Sequence, residues 1–181
     1  MPTNPTDISV LSTTGLVSIV IPCCGMLEYT KLCVPSIVRH TRPPYELIFL
    51  DVGSLDGTSE YLAGLQAGLA GQVRIEVVRC QTDLGIKEAC QTAFRQALGE
   101  YIVLLNNDTI VTNGWLNQLV GLSSFSNTVG MVGPTSNFAA PPQLVEVVPY
   151  RTFGNGRNGA LVDSSAVDRY AEKHRQEHKG S

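Results

Sequence analysis

The sequence of 181 residues has no long apolar run, and its hydrophobic stretches fall far short of the roughly 20 residues that span a bilayer. No charged opening followed by an apolar segment begins it, so no secretory signal is read and a cytoplasmic setting is expected. An excess of positive charge is missing too. Lys and Arg number 13 against 16 Asp and Glu, a net charge of −3 with no basic stripe, which excludes a nucleic-acid footprint. The 5 cysteines make an odd count without a CxxC pair, so neither a disulfide framework nor a paired-ligand zinc site is indicated. They read as reduced thiols used as small hydrophobes. Two phosphate-binding signatures are absent: no G-x-G-x-x-G follows a strand pattern, and no G-x-x-x-x-G-K-[ST] occurs. What remains is an ordinary globular composition, 43% hydrophobic and 16% charged, at a length of about one domain.

The periodicity alternates between strand and helix. Residues 1–15, rich in Pro, Thr, Ser and Asn, are expected to be a disordered lead-in. Val17–Ile21 reads as a strand ended by Pro22. A helix follows from Glu28 to about Arg39, with Pro35 removing a backbone bond inside it. Glu46–Leu50 is a second strand, with Asp51 at its carboxyl end. The loop from Gly53 to Thr58 feeds a helix to about Leu69, and Asp56 or Thr58 is the expected N-cap. Val73–Val78 is a third strand. Ile86, Ala89, Cys90, Ala93, Phe94, Ala97 and Leu98 then recur at intervals of three and four, the clearest helix signal. Tyr101–Leu105 is an unbroken apolar strand, expected to be buried on both faces. A helix around Trp115, Leu116, Leu119 and Val120, a strand at Val129–Val132 and a polar helix from Asp163 to Lys179 complete the chain. This order implies an α/β fold with a mostly parallel sheet flanked by helices.

In an open α/β sheet, ligands bind just beyond the carboxyl ends of the strands. Three loops are expected to meet there: Pro22–Gly25, Asp51–Asp56 and Asn106–Thr109. Asp51 could accept hydrogen bonds from a base or ribose. Asp108 suits a hard divalent cation, which takes oxygen ligands and bridges phosphates. Together they suit a nucleotide diphosphate whose leaving-group charge is neutralised as a bond breaks. A lone Asp after a strand is more often a turn or helix cap. His174-Arg175-Gln176-Glu177-His178 satisfies H-x-x-E-H, a zinc-protease pattern. In a polar helix with no third ligand following, it reads as a solvated face.

Val17-Ser18-Ile19-Val20-Ile21-Pro22, Leu27-Glu28-Tyr29-Thr30-Lys31 and Pro44-Tyr45-Glu46-Leu47-Ile48 resemble the opening of family 2 glycosyltransferases. Asp51-x-Gly-Ser-x-Asp-Gly-Thr58, Gly99-Glu-Tyr through Asn106-Asn-Asp-Thr109 and Gly130-Met-Val-Gly-Pro134 continue the resemblance. It implies a GT-A fold, that of the nucleotide-diphospho-sugar transferases, over residues 16–135, with residues 136–181 opening an acceptor-side region. It also implies inverting transfer of a sugar from a UDP-, GDP- or dTDP-linked donor to an unspecified acceptor. Asn106, Asn107 and Asp108 occupy the D-x-D-like position, with Asp108 as ligand of Mg2+ or Mn2+ and of the diphosphate. Asp51 matches the acidic residue of the nucleoside pocket, beside Val52 and Ser54. Pro22, Cys23 and Cys24 match the segment along the base and ribose, and Gly85 and Lys87 the loop and helix start that approach the donor.

The departures cluster around the same pocket. Cys23-Cys24-Gly25 stands where an aromatic and an Asn are common, and Val52 and Leu55 replace polar residues. Asp83, Ile86 and Gln91 differ near Gly85. They motivate a rival expectation, a non-catalytic nucleotide-sugar-binding or interaction domain on the same scaffold. Inverting members carry a later Asp or Glu, in an E-D motif, that deprotonates the acceptor hydroxyl. Glu146, Asp163 and Asp168 lack those surroundings, so the sequence is expected to be a fragment that stops before the catalytic base.

Overall fold

The computed structural model describes residues 15–80, 86–150 and 162–178. The expected lead-in, apart from Gly15, and the candidate Gly85 lie outside them. The chain divides into two compact units, residues 1–30 with 42–107 and residues 31–41 with 108–181.

The first unit is built on a parallel sheet of β1 (Val17–Cys23), β2 (Tyr45–Val52), β3 (Arg74–Cys80) and β4 (Tyr101–Leu104), in the order β3-β2-β1-β4. Between them run α1 (Leu27–His40), α2 (Thr58–Gly68) and α3 (Ile86–Gln96), and α1 continues through Pro35. The β-branched and leucine-rich runs of β1 and β2 are almost wholly buried, as central parallel strands are. On one face Val20, Ile48 and Leu50 meet Ala89, Cys90 and Ala93 of α3, small residues that let the helix lie close to the sheet.

The strand at Tyr101–Leu104 departs from expectation. Ile102 is 47% exposed and Leu104 54% exposed, so β4 is not buried on both faces. It is one of the two edge strands of the sheet. Leu104 lies beside Val20 in the parallel register and points to the same side of the sheet. The helix on that side, α3, packs chiefly over β1 and β2.

The amino ends of the strands are tied by one buried carboxylate. Glu46 is 1% exposed, and its Oε1 accepts from the Ser18 hydroxyl at 2.5 Å and the Leu98 N–H at 2.7 Å. Its Oε2 pairs with the Arg74 guanidinium. The Gly99 N–H donates to the same Ser18 hydroxyl at 2.8 Å. A Cβ at Gly99 would lie 2.6 Å from the Ser18 backbone nitrogen and 2.8 Å from the Leu16 carbonyl oxygen, so the turn into β4 needs glycine.

The cap of α2 is shifted by one residue from expectation. Gly57, at φ 89°, holds the cap position and offers no side chain, while Asp56 reaches past it to the Thr58 N–H. A left-handed residue there costs glycine little.

The second unit holds the rest of α1 with α4 (Trp115–Ser123) and α5 (Ser164–Glu177). Within it the Trp115 indole N–H donates to the Thr41 hydroxyl at 3.0 Å, and the Val111 N–H to the Ser36 hydroxyl at 3.1 Å. Asp163 caps α5 by accepting the Ser165 N–H at 3.0 Å, and Asp168 pairs with His40 Nε2 at 3.1 Å. The expected strand at Val129–Val132 does not form: among the described residues the run pairs with no strand, and Met131 is 92% exposed. Apolar, β-branched composition suits a pleated surface but does not supply a neighbour to bond with.

Candidate functional site

The chain steps from β1 through β2 to β3 in one direction, then returns to place β4 on the other side of β1. The order therefore reverses between β1 and β4, the kind of switch point outside which open α/β sheets hold their ligands. At this edge Pro22 and Cys23 end β1, while Asp51 and Val52 end β2. Asn106 and Asn107 follow β4.

Hydrogen bonds lock these strand ends together, with Gly25 at the centre. Its N–H donates to the Ser54 hydroxyl at 2.8 Å, and its carbonyl accepts from Asn107 Nδ2 at 3.2 Å. The same Asn107 amide donates to the Thr30 hydroxyl at 3.0 Å. The Leu27 N–H donates to Asp56 Oδ2 at 2.9 Å. The backbone makes these turns with Gly25 at φ 72°, Met26 at φ 63° and Gly53 at φ 61°.

Asp51 is 3% exposed. Its Oδ1 accepts the Ser54 N–H at 3.2 Å, and its Oδ2 accepts the Ser59 hydroxyl. Each oxygen keeps a second lone pair for a further donor. Ser59 and Thr30 were not singled out from the sequence. The signal for Ser59 was available, since a hydroxyl in the first turn after a cap lies within reach of the preceding strand's carboxyl end.

Pro22, Cys23, Cys24, Asp51, Val52, Ser54, Asn106 and Asn107 thus belong to strand ends and loops gathered at one edge of the sheet. Lys87 is exposed in the first turn of α3. Asp108, exposed, is the first residue of the second unit's longer segment. Among the described residues no group of three or more His, Cys, Asp or Glu could hold a metal ion. A lone carboxylate still fits Mg2+ or Mn2+, which commonly use one or two carboxylates and complete their shell with waters and substrate phosphates. His174 and His178 have ring centroids 4.2 Å apart, and His178 Nδ1 lies 2.8 Å from the His174 carbonyl oxygen. That is a helix-surface contact, and no third ligand joins it among the described residues.

The adjacent thiols differ in kind. Burial, assisted by the negative charge of Asp51, pushes the Cys23 thiol up to about 12, against a lowering by its hydrogen bond with Thr30. Cys24 is exposed. Thiolate is the reactive form, so N-ethylmaleimide at pH 8 is expected to modify Cys24 at least about tenfold faster than Cys23. Peptide mapping by mass spectrometry reads this directly, and equal rates at the two positions would contradict the assigned burial.

The family model described as Glycosyl transferase family 2 matches residues 18–141. Glycosyltransferase AglE of Haloferax volcanii is 28% identical over 147 residues, covering 80% of this chain and 47% of that protein. Glycosyltransferase GlyG of Streptococcus pneumoniae is 29% identical over 104 residues, covering 58% of this chain and 34% of that protein. The chain thus spans less than half the length of these relatives. Among solved structures, S. aureus TarS superposes with a TM-score of 0.52 at 17% identity, over 59% of this chain and 19% of that one. A shorter form of TarS in complex with UDP-GlcNAc gives 0.51 at 16% identity, over 66% of this chain and 37% of that one. At such identity the likeness is one of fold.

Proposed function

The chain belongs to glycosyl transferase family 2, and from that premise we propose that it binds a nucleotide-diphosphate sugar with Mg2+ or Mn2+ and transfers the sugar, with inversion, to an acceptor hydroxyl. The observation that carries this reading is the interlocked set of strand-end loops at the switch point, joined through Gly25 to Ser54 and Asn107. Residues 16–135 form the donor-binding domain in this proposal, and residues 136–181 open the acceptor side. Pro22, Cys23 and Cys24 lie along the nucleoside, and Asp51 accepts from it with Val52 and Ser54 alongside. Lys87 approaches the donor, and its ammonium offers a positive charge to the phosphates.

Asn106 and Asn107 lead into Asp108, which would hold the metal. The bound ion would neutralise charge on the departing nucleotide diphosphate. Of the chain's own residues, Asn107 keeps the β4 loop fixed against Gly25 and Thr30. Asp163 and Asp168 are committed to capping α5 and pairing with His40, so neither is assigned as the acceptor base. Five free thiols accord with a cytoplasmic setting, and no helix among the described residues is long and apolar enough to cross a membrane.

Titration calorimetry with UDP-glucose, GDP-mannose and dTDP-glucose, each with Mn2+, tests the proposal. Binding of at least one is expected, and heat from none of them would overturn the donor site. The commitment of Asp163 and Asp168 favours a second reading, a binding domain without catalysis. That reading predicts donor binding with no release of free sugar, and detectable hydrolysis would count against it.

A further inference from the structure

Two of the strand-end loops share one carboxylate. Asp56 Oδ2 accepts the Leu27 N–H at 2.9 Å, while Oδ1 accepts the Thr58 N–H at 3.2 Å and its hydroxyl at 2.6 Å. Leu27 is the first residue of α1 and Thr58 the first of α2. N–H groups in a helix's first turn have no partner inside the helix. A single side chain therefore satisfies such groups at the start of two helices. Negative charge is favoured at both places. The Asp56 carboxyl is accordingly held below its ordinary range, first by the Thr58 hydroxyl and then by the Leu27 N–H.

Between Cys24 and Leu27 the backbone passes through Gly25 at φ 72° and Met26 at φ 63°. The second angle is costly for a residue with a side chain, and such strain persists only where the surroundings enforce it. Here the enforcing contacts flank Met26. The Gly25 N–H is bound to the Ser54 hydroxyl on one side, and the Leu27 N–H to Asp56 on the other. The Gly25 carbonyl that Met26 follows is the acceptor for Asn107.

We propose that Asp56 is a positioning residue for the donor: it holds Met26 in its left-handed conformation, and so keeps Cys23, Cys24 and the Gly25 carbonyl in the shape that receives the nucleotide. This rests on the donor-binding reading above. Without the carboxylate, Met26 relaxes towards negative φ, the Gly25 carbonyl turns, and Asn107 loses an acceptor. The sheet core lies elsewhere, in Val20, Ile48, Leu50 and α3, so the fold survives.

The test is calorimetry of wild type, Asp56→Ala and Asp56→Asn with UDP-glucose, GDP-mannose and dTDP-glucose plus Mn2+, beside melting temperatures and amide exchange at Gly25 and Leu27. Asp56→Ala is expected to weaken the bound donor about tenfold, with faster exchange at both amides. Asp56→Asn keeps the size and one acceptor oxygen, and is expected to fall between. If Asp56→Ala does not fold, Asp56→Asn and Thr58→Val carry the comparison. A purely structural role would lower the melting temperature of Asp56→Asn with donor affinity unchanged, and that result overturns the inference alone. If wild type binds none of the donors, the donor reading fails first and this one with it.

Discussion

Truncation of Glu46 to alanine is expected to destabilise the protein by about 3 kcal/mol, the lower end of the range for breaking a buried ion pair. Ser18 and the Leu98 N–H both lose their acceptor. Unpaired buried donors cost about 1–3 kcal/mol each. Arg74 is the milder loss, because its side chain is 27% exposed and water can replace the carboxylate. For a chain of this size the change corresponds to a drop in melting temperature on the order of 10 °C. Glu46→Gln retains one acceptor oxygen and is expected to lose roughly half as much. Thermal melts followed by circular dichroism measure both, and an unchanged midpoint for the alanine variant would refute the role given to this carboxylate.

The largest functional effect is expected at Asp108. Replacing it with alanine should weaken Mn2+-dependent donor binding by about 100-fold or more, since removing groups that merely support a metal ligand already costs 10–100-fold. Asparagine should be nearly as damaging, because the amide brings no charge to the cation. Asp108 is exposed, so the melting temperature should hold. Metal-free binding of the bare nucleoside should also survive, which separates a lost cation from a collapsed pocket. Full Mn2+ dependence in Asp108→Ala would remove this residue from the metal site.

Much of the fold was legible because each strand carried its own local signal. Val17–Ile21 and Glu46–Leu50 are apolar runs that end at a proline or an aspartate, and the spacing from Ile86 to Ala97 fits a helix and no strand. The misses share a cause, which is that neighbours are not written locally. An apolar run such as Tyr101–Leu105 does not say whether it will be central or at an edge. Position in the sheet decided that Ile102 and Leu104 stay half exposed. Val129–Val132 had the composition of a strand and no strand to pair with among the described residues. At the candidate site, the acids were visible from their placement after strands. Their bonding was not. That Asp56 would serve Leu27, 29 positions away, and that Ser59 would bind Asp51, depend on how the loops fold over one another.

The Glu46 staple and the strand-end loops occupy opposite ends of the same strands. Glu46 is the second residue of β2 and Asp51 the seventh, five steps or about 17 Å of extended chain apart. Foldedness is anchored at one end and the candidate site lies at the other, so the two can drift separately under mutation. A lineage built this way can exchange Cys24 or Val52 for other side chains at the sheet edge without having to rediscover how to fold.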